Sequence, residues 1–188
     1  MPRARSNETK DRIRAAAMEL FRSRGVQQTS MREIAERVGI TKPALYYHFA
    51  SREDLLRGLV EPMVDDYEAA VAHDEAADSV DPRALLARYF DVSMRHREVN
   101  GVVFRDAAVL TELGLGARVI DWRRRITVLL VGAEAGLAEL ARATVALGGL
   151  GDCVVMFGDR PVAELRSAAL DAAYAALGLD EGDRTAAG

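Results

Sequence analysis

One cysteine among 188 residues, Cys153, leaves nothing for it to pair with inside the chain, so a disulfide framework and a thiolate zinc site are both excluded. Lysine is nearly absent: Lys10 and Lys42 are the only two, and arginine carries almost all of the positive charge. No uninterrupted apolar run reaches the roughly 18 residues that span a bilayer. The opening segment MPRARSNETKDR lacks the apolar stretch of a secretory signal, so the expected location is the cytoplasm. Sustained period-two alternation of β-branched residues is missing, which removes the usual signature of strands. A glycine-rich phosphate loop is missing too. The run GGLG at 148–151 does not satisfy a dinucleotide fingerprint and reads as a close-packing or kink site in a helix. No cofactor and no metal are expected.

What is present is helix-forming material with a divided charge. Hydrophobic residues make up 49% and charged residues 29%, the balance of a chain able to bury a core rather than one that stays disordered. The net charge of -4 conceals a split: residues 1–50 carry ten Lys/Arg against five Asp/Glu, a net +5, and residues 51–188 carry a net -9. A basic head and an acidic body suit a molecule that meets phosphate at one end and keeps the other end away from it. The spacing divides the chain into a head over 1–50 and a body over 51–188.

Ala, Leu, Arg and Glu dominate throughout, and the fold class is all-α: a three-helix head followed by a helical bundle. A first helix runs from about Asn7 to Arg24, with Gly25 stopping it. Ser30 and Glu33 form a capping box for a second helix, which Gly39 ends after about two turns. Thr41 caps a third with Pro43 in its first turn. A fourth starts at Ser51, with Asp54 three residues on, and should end near Glu61 or bend there because Pro62 falls in its path. The polar stretch HDEAADSVDP, residues 73–82, reads as a loop. Further helices are expected at roughly 82–97, 100–112, 115–133, 137–157 and 162–177, with a frayed tail from Asp180.

The informative stretch is TSMREIAERVGITKPALYYHFASR, Thr29 to Arg52. Two short helices meet at a turn that needs the freedom of Gly39, while Ile34, Ala35, Val38, Ile40 and Leu45 form a miniature core. The remaining side chains of the second of these helices, Thr41, Lys42, Ala44, Tyr46, Tyr47 and His48, combine donors, a cation and aromatic rings. A short helix with such a face fits a DNA major groove, with Lys42 facing a base edge. Thr29, Ser30, Arg32 and Arg52 lie at helix starts or on the basic rim, where hydroxyls and cations suit phosphate.

These residues, with the first helix before them and SREDLL after them, resemble the DNA-binding head of tetracycline-repressor-type (TetR family) regulators over about residues 10–60. The resemblance implies that the Lys42–His48 helix enters the major groove, with base contacts from Lys42, Pro43, Ala44 and Tyr46. It implies phosphate contacts from Thr29, Ser30, Tyr47, His48 and Arg52. It further implies an all-α body that binds a small molecule and dimerises through the last two helices, and thus a ligand-responsive repressor on a palindromic operator in double-stranded DNA.

The body shows no motif of its own. Tyr89, Phe90, Met94, Phe104, Arg105, Trp122 and Met156 are candidate lining for a small, largely apolar effector. Ala141, Ala146, Gly149, Ala168, Ala169 and Ala173 make small-residue faces on which two chains could pair as a four-helix bundle. The triplet Arg123-Arg124-Arg125 points three ways around a helix and reads as a solvated or ion-paired face rather than a second DNA patch. Two other readings compete. A constitutive or activating DNA-binding regulator would need no pocket, against which stands the length of the body. An enzyme would need Cys153, His73 and His96 to supply a nucleophile and a base, but His73 and His96 lie in a loop and at a helix end and Cys153 in an apolar run.

Overall fold

The computed structural model describes residues 2–179, with side chains described from Asn7 onward; the expected frayed tail from Asp180 lies outside the described residues. Ten helices and no strand occur among the described residues: α1 (Pro2–Arg24), α2 (Met31–Val38), α3 (Lys42–His48), α4 (Arg52–Glu75), α5 (Pro82–Arg95), α6 (Arg97–Arg105), α7 (Ala108–Glu112), α8 (Gly116–Val131), α9 (Leu137–Phe157) and α10 (Val162–Leu177). The all-α expectation and the bounds of α2, α3, α9 and α10 agree with this order.

Besides shifts of a few residues at the ends of α1, α5, α6 and α8, three features differ from the sequence expectation, each for a reason visible in the structure. Pro62 does not end α4, which continues to Glu75. The missing N–H and the ring clash cost about 3 kcal/mol in a helix interior. Against that, the helix buries Leu55, Leu56, Val60 and Met63 before the proline and Val64, Tyr67 and Val71 after it. Each such side chain is worth about 1.5–3 kcal/mol when fully buried, so burial wins. The carbonyl facing the ring, one turn back, belongs to Gly58, the residue best able to adjust.

The loop expected at 73–82 starts later, because His73, Asp74 and Glu75 are helical. Asp74 is buried and accepts two bonds from Arg88 of α5 (Nε 3.0 Å, Nη2 2.7 Å), which holds the last turn of α4 in place. The single helix expected at 100–112 is two, broken at Asp106, whose carboxylate accepts the Ala108 N–H at 3.2 Å and so offers the backbone an alternative to helix.

The chain forms two compact units. The first comprises, of the described residues, 2–63 and 98–116, and its core gathers Ile13, Ala17, Phe21, Ile34, Leu45, Leu55, Leu56 and Val109. The second comprises 64–97 and, of the described residues, 117–179. There α9 packs on α10 and both pack on α5, around Leu85, Leu86, Phe90, Leu147, Leu150, Val154, Leu165 and Leu170. Helices α6 and α7 therefore belong with the first unit although residues 64–97 separate them from its first segment in the chain.

Among the described residues one helix, α9, is long and apolar enough by length and composition to cross a membrane, even with Arg142 and Asp152 inside it. Glu139, Arg142 and Asp152 interrupt it, so it is not the unbroken apolar run that the sequence lacks. Only 28% of that stretch is buried within the chain, and Leu137, Leu140, Val145, Met156 and Phe157 are exposed.

Candidate nucleic-acid interface

The capping chemistry legible in the sequence sets the first helix pair. Ser30 Oγ accepts the Glu33 N–H at 3.2 Å, and the Glu33 carboxylate takes both the Ser30 N–H and its hydroxyl at 2.8 Å. These bonds, with Arg24 at 2.9 Å, hold the Glu33 carboxyl below its ordinary range, the Ser30 backbone bond contributing most. Gly39 has φ 77°, and its N–H reaches Ala35 O at 3.0 Å and Glu36 O at 3.2 Å, which closes α2 and turns the chain toward α3. Arg12 from α1 donates to the Val38 carbonyl at 2.8 Å and satisfies one of the orphan groups at that end.

Helix α3 then presents two different faces. Leu45 is fully buried, as is Phe49 just past the end, with the cations of Lys10 and Arg14 about 6.0 and 5.9 Å from its ring. Thr41, Lys42, Pro43, Ala44, Tyr46 and Tyr47 are exposed. Tyr47 is 83% exposed, a degree that no packing role explains. Lys42 sits 5.7 Å from the Tyr46 ring and makes no ion pair among the described residues, so its ammonium stays available. His48 is half-buried, edge-on to Tyr47 at 5.3 Å, with Nδ1 buried and without a partner in the protein.

The rim residues are placed differently from the exposed face. Thr29 is buried, 3% exposed, and its hydroxyl donates to Gly25 O at 2.9 Å. Ser30 spends its hydroxyl and N–H on Glu33. Arg32 is exposed but pairs with Glu36 one turn on, at 2.7 Å. Arg52 donates to the Val26 carbonyl (2.9 Å), to Gln27 Oε1 (3.0 Å) and to Glu112 (3.3 Å). Of the four, Thr29, Ser30 and Arg52 hold the head together in this conformation instead of offering free donors. Sequence spacing placed them at the right edge of the motif and could not show that partners had already claimed them.

The candidate effector residues do not form one group. Tyr89 and Trp122 lie with Tyr67 in the second unit: Tyr67 and Trp122 stack at 4.5 Å, and Tyr89 lies 5.4 and 6.1 Å from them. Tyr67, missed from sequence, shares a 2.8 Å bond between its hydroxyl and Ser93 Oγ. Burial pushes the Tyr89 hydroxyl pKa up, and the nearby Arg123 lowers it in part. The indole N–H of Trp122 is buried with no partner in the protein. Phe90 is inaccessible core, Met94 is half-buried, and Met156 is 62% exposed. Phe104 and Arg105 belong to the first unit, where Phe104 is exposed and Arg105 donates to Arg22 O at 2.5 Å. The arginine triplet is dispersed as its spacing implied: Arg123 lies over the Trp122 ring, Arg124 pairs with Asp121 and Arg125 with Glu75.

A bihelical turn with an outward face of Lys, Tyr and Tyr on a seven-residue helix, carried on an all-α framework, defines a helix-turn-helix DNA-binding protein. Residues 13–59 match the bacterial regulatory proteins, tetR family. Over those residues, a quarter of its length, the chain is similar to that family, and the likeness supports a DNA-binding transcriptional regulator. It is 29% identical over 159 residues to the HTH-type transcriptional regulator TtgR of Pseudomonas putida, covering 76% of each chain. Over 107 residues it is 30% identical to the HTH-type transcriptional repressor KstR2 of Mycobacterium tuberculosis, covering 54% of this chain and 52% of the relative. Among solved structures, a transcriptional regulator (TerR/AcrR family) from Aquifex aeolicus VF5 superposes with TM-score 0.68 at 23% identity, covering 87% of this chain and 96% of that one. A TetR-like regulator from Rhodococcus sp. RHA1 also gives 0.68, at 22% identity, with 92% and 97% covered. At such identities the two structures speak for the fold alone.

Proposed function

We propose that the chain is a ligand-responsive transcriptional repressor of the cytoplasm, which binds a palindromic operator as a homodimer and is released by a small-molecule effector. The observation that carries the DNA half is the outward face of α3, where Lys42, Tyr46 and Tyr47 are exposed while Leu45 alone anchors the helix. In functional terms the reading head spans 1–50 and the sensing and pairing body 51–188, with Lys42, Pro43, Ala44 and Tyr46 on bases and Tyr47 and His48 on phosphates.

The pairing surface is the outward side of α9 and α10. Leu137, Ala141, Val145 and Gly149 recur every four residues, all exposed, with Met156, Val162 and Ala168 extending the strip. Ala146, Ala169 and Ala173 are covered within their own chain, where they let α9 and α10 approach each other. An apolar strip of this kind on a soluble regulator is best explained by a second copy, and two-fold pairing of helix pairs gives a four-helix bundle. A dimer then presents two α3 helices to successive major grooves, about 34–36 Å apart.

For the effector, the aromatic group of Tyr67, Tyr89 and Trp122 offers flat apolar surface together with one unsatisfied buried donor. A flat molecule bearing a hydrogen-bond acceptor fits both features. The deciding experiment is selection of random duplexes by the purified protein, followed by sedimentation of the complex. Two inverted half-sites bound by two chains support the reading, whereas an asymmetric single site bound by one chain refutes it. Trp122 is the only tryptophan, so its emission reports effector binding directly in a compound screen.

A further inference from the structure

In the first unit, hydrogen bonds between residues far apart in sequence close into a ring. Gln27 Nε2 donates to Glu112 Oε2 at 3.3 Å. Arg52 Nη2 donates to Gln27 Oε1 at 3.0 Å and to Glu112 Oε1 at 3.3 Å, and Arg52 Nη1 donates to the Val26 carbonyl at 2.9 Å. Both carboxylate oxygens of Glu112 and both polar atoms of the Gln27 side chain are used.

Gln27 lies just before the helix-turn-helix segment and Arg52 at its end. Glu112 closes α7 and stands outside that segment by some sixty residues of chain. One acid thus fastens the entry and the exit of the DNA-reading segment to each other and to α7. We propose that Glu112 is a positioning residue for DNA binding: by holding Arg52 and Gln27 it sets the loop that enters α2 and the start of α4, and through them the presentation of α3.

The charge of Glu112 makes the proposal distinguishable from a simple electrostatic effect. An acid acting on DNA only through its field repels phosphate, so removing it raises affinity, most at low salt. An acid acting by position does the opposite. The side chain is about one third exposed, 35%, and contributes no apolar core, so its replacement by an isosteric amide should leave the fold intact.

The test uses the duplex enriched from a random library by the wild-type protein, with affinity measured as a function of salt and melting followed by circular dichroism. Glu112→Gln leaves two amides facing each other across the ring without an anion for Arg52. It should weaken binding about five- to tenfold with little change in melting temperature, the loss expected when one charge-assisted bond in a positioning network is removed. The double variant Gln27→Glu with Glu112→Gln restores the same ring with the carboxylate moved to position 27 and the net charge of the wild type. It should recover affinity to within about twofold. Unchanged or increased affinity in Glu112→Gln overturns the proposal, and so does failure of the exchanged pair to recover affinity while melting like the wild type. Should the single variant melt early, the exchanged pair alone decides by the same criterion. Because the assay requires only that wild-type protein binds the duplex, it is independent of the effector and dimer readings.

Discussion

Replacing Gly39 by Ala isolates one physical effect at the turn between α2 and α3. At φ 77° the residue is left-handed, a conformation that costs an L-residue about 1–2 kcal/mol. A Cβ built there meets nothing within 4 Å, so no steric contribution adds to the backbone one. The restricted unfolded chain of the alanine variant returns about 0.4–1 kcal/mol. The net loss should be about 0.5–1 kcal/mol, less for Gly39→Asn, which tolerates this region better. Gly25, with φ 90° and equally open surroundings, closes α1 outside the reading turn and serves as control: Gly25→Ala should cost a similar amount. Chemical denaturation followed through the first unit measures both. Operator affinity separates them, since a relaxed turn at 39 tilts α3 and weakens binding well beyond the stability loss, while the change at 25 does not. A loss above about 3 kcal/mol for Gly39→Ala, or equal costs for Ala and Asn, would refute the backbone argument.

Three further outcomes are expected. Lys42→Ala should weaken operator binding by about 1–3 kcal/mol and relax the preference at one base position; unchanged affinity and preference in a repeated selection remove Lys42 from the reading face. Val145→Glu places a charge in the middle of the outward strip of α9 and should yield monomers in sedimentation with the helical spectrum intact, and a dimer of wild-type affinity would sink the pairing surface. Asp66 holds its carboxyl below the ordinary range, chiefly through the 2.8 Å bond to His96 and then through Arg95. A depressed native pKa stabilises the fold above the unfolded value of about 3.9 and is lost as pH falls through the native value. The stability difference between wild type and Asp66→Asn should therefore be full near neutrality and shrink below about pH 4, and a difference that is constant with pH contradicts the assignment.

How much could be read in advance follows the range of the forces involved. Capping is a matter of three or four consecutive residues, so Ser30 with Glu33, Thr41 with Ala44, and Gly39 were legible, and with them the limits of α2 and α3. Periodicity over twenty residues sufficed for α9 and α10. Of the two outcomes that Pro62 allowed, an end or a bend, the end did not occur, because its local cost is outweighed by burial on both sides of it, which depends on distant partners. The late end of α4 likewise depends on the two bonds that Asp74 accepts from Arg88 of α5, whereas the break at Asp106 rests on a local bond from the Ala108 N–H.

The outward face of α3 was determined by sequence alone, since a seven-residue helix with one buried leucine has only one way to turn its polar side. Which of the surrounding donors remain free was decided only by the tertiary structure. Thr29 disappears beneath the Gly25 carbonyl, and Arg52 is taken by Val26, Gln27 and an acid some sixty residues downstream. Residue type and spacing record what a side chain is able to donate, but the competition for that donor is settled by whatever the folded chain brings within about 3 Å of it.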